Sequence, residues 1–314
     1  MNERKRPVAM VEAGLLTALT IIFTIVGTYV PFLGFFLTIV AIPLTLVGIR
    51  HGLKWSAASV VVSGIIGTML VGITTGVSIL LVSGSISLLM TYSFEHKWPI
   101  SRMVIGASLL STIMMAITFQ LAFTISGINF FDMMDASMVQ SMEMMKSMTA
   151  GSDQSAEMVK AMELSAETLK IVFPTMLFLT GVFHAVINVA VLKAVMKRFR
   201  MPFLPGKPFN EFCYDRSVLI GTSLILILSY LAGTMKIVDL MTLFTNVLLI
   251  IAFSFSIQGI AVMDYFFVRR GAKPGMRVFF ITLLYVVLNG YILFGIIGWF
   301  DVIFNFRKLK RSEY

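Results

Sequence analysis

Apolar residues run along this chain in long stretches, at roughly residues 8–30, 33–49, 55–72, 75–93, 103–126, 171–192, 217–235, 240–266 and 278–304. Most approach the ~20 residues that a helix needs to cross a ~30 Å hydrocarbon core. The pattern predicts an all-α polytopic transmembrane bundle. The first stretch follows Arg4, Lys5 and Arg6, as a secretory signal would. It is longer than a signal's apolar region and leads directly into a second apolar segment, so it reads as an uncleaved first helix.

Composition supports this class. Of 314 residues, 58% are hydrophobic and 13% charged, with mean hydropathy +0.91, which leaves no room for a sizeable soluble domain. The net charge of +9 raises nucleic acid as a partner, but the positive residues sit in short clusters between apolar runs and report topology instead. With the N-terminus in the cytoplasm and the spans alternating, the inner segments collect Arg4, Lys5 and Arg6; Arg50 and Lys54; Lys97 and Arg102; Lys193, Lys197, Arg198, Arg200, Lys207 and Arg216; and Arg269, Arg270, Lys273 and Arg277. The outer segments hold Lys146, Lys160, Lys170 and Lys236. That bias orients the first eight spans in a multi-pass plasma-membrane protein. After a ninth crossing, Arg307, Lys308, Lys310 and Arg311 would face outward, against the same rule. Either the ninth stretch is re-entrant or bent near Asn289 and Gly290, or an upstream crossing is miscounted; eight and nine crossings are both open.

Residues 127–170 form the one long outer loop, acidic and rich in methionine. Met134, Met138, Met142 and Met145 recur at helical spacing, Gly151 and Ser152 interrupt, and Asp153 is placed to cap a second helix carrying Val159, Met162, Ala166 and Leu169. Two amphipathic helices are expected, lying at the interface or over the bundle, or acting as a lid whose thioether side chains repack as it opens. The third and fourth spans carry small residues at helical spacing, among them Ser59, Ser63 and Gly67, which permit close helix approach. The prolines at 202, 205 and 208 mark an irregular basic connector, so the chain divides into a six-span part, 1–200, and a linker with two or three further spans, 201–314.

The first span opens Pro7-Val-Ala9-Met-Val-Glu-Ala13 and continues one face with Thr17, Thr20, Thr24 and Thr28. This opening, six spans, an internal N-terminus and a long loop between spans five and six resemble the S components of energy-coupling-factor transporters over about residues 7–200. Nearly the whole chain resembles the YybS-like family of uncharacterised bacterial membrane proteins. The resemblance to S components implies that Ala9 and Ala13 dock against a membrane coupling subunit while ATPases supply energy. The extra C-terminal spans and the lack of a vitamin-binding signature depart from that pattern, so no substrate class is implied.

Polar groups at membrane depth are costly and mark candidate sites. Thr180, His184 and Asn188 step by four along the sixth span and offer donors and acceptors suited to a neutral or anionic small molecule, or to packing bonds between helices. Gln258, with Ser254 and Asn246 on the same side of the eighth span, is a further candidate. Gln120, Asn289, Glu12 and Asp264 read more simply as helix contacts or interfacial charges. Cys213 is the single cysteine, and no Cys/His cluster, phosphate-binding loop, HExxH or GxSxG motif is present, so neither a cofactor nor a metal nor an enzymatic role is expected. The expected function is transport-related: binding of a small solute from the outer side, with separate energising subunits. The alternative is a membrane scaffold or regulator.

Overall fold

The computed structural model describes residues 5–127, 130–148, 153–287 and 290–309. The regular elements among them are all helical: α1 (Lys5–Tyr29), α2 (Phe35–Thr38), α3 (Ala41–His51), α4 (Leu53–Leu70), α5 (Ile73–Ser78), a π-turn (Ile79–Ser83), α6 (Gly84–Glu95), α7 (Ile100–Ser126), α8 (Phe130–Met148), α9 (Asp153–Arg198), a 3-10 turn (Phe209–Glu211), α10 (Ser217–Thr234), α11 (Leu240–Arg269), α12 (Pro274–Val287) and α13 (Gly290–Phe304). Seven helical runs among the described residues are long and apolar enough to cross a membrane. The protein is a polytopic helical bundle. Outward-facing rows of aliphatic side chains fit a lipid surface, as with Ile105, Leu109, Ile113 and Ile117 at four-residue steps on α7.

The second apolar stretch differs most from a regular span. It is broken into α2 and α3, and α3 is buried over Ala41–Gly48. A helix that is apolar all round fits a protein interior as well as it fits lipid, so hydropathy does not separate the two. Pro43 is tolerated there because it lies in the first turn, where the backbone N–H has no intrahelical acceptor. Gly52 ends α3 at φ +96°, a conformation that favours glycine, and the chain turns directly into α4.

The chain forms two compact units, one of residues 1–159 with 176–206 and one of 160–175 with 207–314. The division falls at 206/207, a few residues beyond 200/201, and the segment Lys160–Thr175 groups with the C-terminal part. The long helix α9 therefore passes from one unit to the other between Thr175 and Met176. Its second amphipathic segment continues into the sixth span with only a proline, Pro174, inside it. Gly151 and Ser152 lie outside the described residues, as do the side chains of Met145, Asp153 and Val159. On α8, Met134, Met138 and Met142 are half-buried while Met133, Ser137, Ser141 and Glu143 are exposed, so the methionine stripe is the covered face.

In the first unit, Ile42, Leu46, Ile86, Met90, Met103, Leu192 and Met196 pack around α3. One end of this unit gathers chain reversals. The Glu12 carboxylate pairs with Arg50 and with His51 Nε2 at 2.7 Å. The Leu53 amide donates to Glu95 at 3.0 Å, the Ile100 amide donates to the Pro205 carbonyl at 3.3 Å, and the Arg50 guanidinium lies over the Phe199 ring. Alternate crossings thus return their basic ends to one place.

In the second unit α11 is the central helix. Asp239 caps its start, accepting from the Thr242 amide at 2.7 Å, which holds the carboxyl below its usual range. α13 packs on α11 through glycines. A Cβ at Gly259 would collide with the Phe294 carbonyl, and one at Gly298 with the Phe255 carbonyl, while the Gly259 nitrogen would lie 2.7 Å from it. Such contacts between small residues let helix backbones approach closely in lipid. Gly298→Ala is expected to force the two helices apart at a cost of about 1–3 kcal/mol, seen as a lower melting temperature of the detergent-solubilised protein. Gly221→Ala, whose Cβ meets nothing within 4 Å, should leave it unchanged.

Candidate functional site

The expected set on the sixth span is partly assembled. Gly181 allows α9 to lie against α7, because a Cβ there would stand 2.7 Å from the Thr112 amide nitrogen and 2.8 Å from its Cα. That close contact brings Ser111 Oγ to 3.0 Å from His184 Nδ1. One turn on, Asn188 is completely buried, and its amide donates to the carbonyls of Thr38 and His184, both at 2.8 Å. The chain break between α2 and α3 is what presents the Thr38 carbonyl. Asn188 Oδ1 accepts nothing, and Ser108 Oγ, on the turn of α7 before Ser111, is likewise buried with no partner. In the antiparallel pairing set by Thr112 with Gly181 and Ser111 with His184, Ser108 falls at about the level of Asn188.

Thr180 does not join this group. It is exposed, and its hydroxyl donates to the Met176 carbonyl at 2.8 Å. Each four-residue step advances about 40° around a helix, so two steps carry Thr180 about 80° away from Asn188 and off the inward face. The neighbours of His184 and Asn188 that spacing along the chain did not reveal, Ser111 and the Thr38 carbonyl, come from other elements.

The second unit holds the remaining candidates, each inside a network. Gln258 is completely buried; its Oε1 accepts from the Tyr214 amide at 2.8 Å, and its Nε2 donates to Asp301 Oδ2 at 2.7 Å. Asp301 is ion-paired with Arg307 at 2.8 Å, both side chains fully buried, and the same guanidinium donates to the carbonyls of Asn210 at 2.8 Å and Phe212 at 2.7 Å. Counting Arg307 with the exposed tail charges is thereby corrected. A basic residue just beyond an apolar run reads as an interfacial anchor, and only the fold brings Asp301 to it.

Asn246 bonds α9 beside its internal proline. Pro174 has no N–H to donate to the preceding turn. The Ile171 carbonyl accepts from Asn246 Nδ2 at 2.6 Å, and the Thr175 amide donates to Asn246 Oδ1 at 3.0 Å, so one carboxamide bonds both backbone groups, one on each side of the proline. The Thr175 hydroxyl also donates to that oxygen at 2.6 Å. Asp264 is paired with Arg277 at 3.0 Å, Gln120 is exposed, and Asn289 lies outside the described residues.

Ala9 and Ala13 face the chain's own interior, with 3% and 7% of their surface exposed, where α1 packs against α3 and α4. This corrects the expectation that they form a docking surface: a methyl group already covered by its own chain offers none to a coupling subunit. The outward face of α1 carries Val8, Met10, Val11 and Leu15 instead.

Comparison with known proteins agrees with this architecture. The chain is 27% identical over 316 residues to the uncharacterized protein YybS of Bacillus subtilis (strain 168), covering 97% of this chain and 99% of that one. No solved structure matches it. A model of predicted membrane proteins, DUF2232, matches residues 18–302. With nearly its whole length matched by that model, the chain belongs to the DUF2232 family of membrane proteins.

Proposed function

We propose that this integral membrane protein is transport-related and binds a small polar solute, taken from the outer side, at the Ser108–Ser111–His184–Asn188 cluster. The observation that carries the reading is the pair of buried oxygens without partners, Asn188 Oδ1 and Ser108 Oγ, beside a histidine held by Ser111. Leaving such a group unsatisfied costs roughly 1–3 kcal/mol, a cost that a bound ligand with a donor would offset. In this reading the basic ends face the cytoplasm with the N-terminus, and Gln258 serves packing. Coupling to separate membrane and ATPase subunits rests on the resemblance of residues 7–200 to S components. No enzymatic role is proposed.

The test is mass spectrometry of small molecules retained by the detergent-purified protein. Asn188→Leu and Ser108→Ala chains that still elute as a folded species should lose the retained compound by tenfold or more, and Thr180→Ala should keep it. Unchanged retention in both cluster variants would remove the site. A second reading, a scaffold that assembles other membrane proteins, is favoured by the Gln258–Asp301–Arg307 and Asn246–Thr175 networks, in which each polar side chain is bonded within the chain. It predicts that no solute is retained and that protein partners co-purify.

A further inference from the structure

The last apolar stretch either crosses the membrane or turns back within it, and the two arrangements put the basic tail on opposite faces. The register of α13 on α11 distinguishes them. Gly295 lies on Ala252 and Gly298 on Phe255; Gln258 bonds Asp301, and the Tyr265 hydroxyl donates to the Arg307 carbonyl at 3.5 Å. Gly259 also meets Phe294, but across the four pairs from Ala252–Gly295 to Tyr265–Arg307 the residue numbers rise together on both helices, so α13 runs parallel to α11 and finishes at the end where α11 finishes, near Arg269.

Both ends of the α12–α13 pair can then be placed. α10 leaves the linker at Ser217, the chain turns where Gly233 meets Leu240, and α11 comes back, so Arg269 returns to the linker's end of this unit. Only residues 270–273 separate α11 from α12, and Arg277 in the first turn of α12 pairs with Asp264. α12 therefore starts at that end. α13 finishes there too, because Arg307 donates to the linker carbonyls of Asn210 and Phe212. The two helices have 14 and 15 residues, about 21 and 22 Å long, each short of a full crossing, and their axes turn by 112° at the break.

We infer that α12–α13 is a re-entrant element that enters and leaves on the membrane face bearing the 207–216 linker, with the buried Asp301–Arg307 pair clamping its exit to that linker. Eight of the nine apolar stretches then remain to cross, and the described tail charge Lys308 joins Lys207, Arg216, Arg269 and Arg270 on one face. Basic residues gathered on one face are what membrane insertion favours. The arrangement is independent of whether the first unit binds a solute.

Two experiments on the full chain test it. In a Cys213→Ser background, single cysteines at Lys207→Cys, Lys236→Cys and Leu309→Cys are treated with a membrane-impermeant maleimide in right-side-out and inverted vesicles. Positions 207 and 309 should label in the same vesicles and 236 in the opposite ones; labelling of 309 together with 236 overturns the inference. Cys213 accepts from Gln258 at 3.6 Å, so a second measurement keeps the native cysteine. A protease-cleavable tag after Tyr314 should be cut only in vesicles where a tag inserted at Lys236 is protected. Cutting of both tags in the same vesicles would show a ninth crossing.

Discussion

Replacing Arg307 by alanine is expected to destabilise the C-terminal half of the protein by roughly 3–5 kcal/mol, the range for removing one partner of a buried ion pair. The loss has two sources. Asp301, completely buried, keeps the Gln258 amide but loses the cation that balances its charge. The carbonyls of Asn210 and Phe212 lose their guanidinium donors at the same time. The double variant Asp301→Leu/Arg307→Leu should recover part of that loss, since it removes the stranded charge, and not all of it, since the linker carbonyls stay unpaired and Gln258 Nε2 loses Asp301 as its acceptor. Thermal unfolding in detergent of wild type, Arg307→Ala and the double variant measures this. A double variant as unstable as the single one would show that the linker bonds, and not the buried carboxylate, dominate.

Crossing segments are legible in the sequence because their signal is local: an apolar run of sufficient length, bounded by charge. The helix α3 is where that signal does not tell lipid from protein surroundings, since burial among Ile86, Met90 and Leu192 makes the same demand on a side chain as lipid does. The ninth stretch fails for a different reason. Its hydropathy fits a span, and only the register against α11, a contact between residues about 40 apart, shows it turning back. At the candidate site, helical spacing finds His184 and Asn188, because both lie on one helix face, but it misplaces Thr180 by the angular drift of two steps. Ser111 and the Thr38 carbonyl could not be found by spacing along α9 at all. Ala9 and Ala13 show the converse limit: a small-residue pair marks a close helix contact and does not say whether the neighbour belongs to the same chain or to another.

Asn246→Leu is expected to cost about 2–6 kcal/mol, from two backbone groups left unsatisfied at roughly 1–3 kcal/mol each. The leucine fills a similar volume but cannot accept from the Thr175 amide or donate to the Ile171 carbonyl, and at membrane depth no water replaces either bond. The cost depends on the proline. With Pro174→Ala the residue regains an amide, the turn can close, and Thr175 can bond Ile171 as in an unbroken helix. Asn246→Leu in that background should therefore cost at least 1 kcal/mol less than in wild type, a coupling read from a double-mutant cycle on unfolding in detergent. Additive effects would mean that Asn246 stabilises α9 through its contacts with Thr175 side-chain and α11 atoms alone. Coupling of the size expected would show that Asn246 serves the backbone beside Pro174, within the second unit.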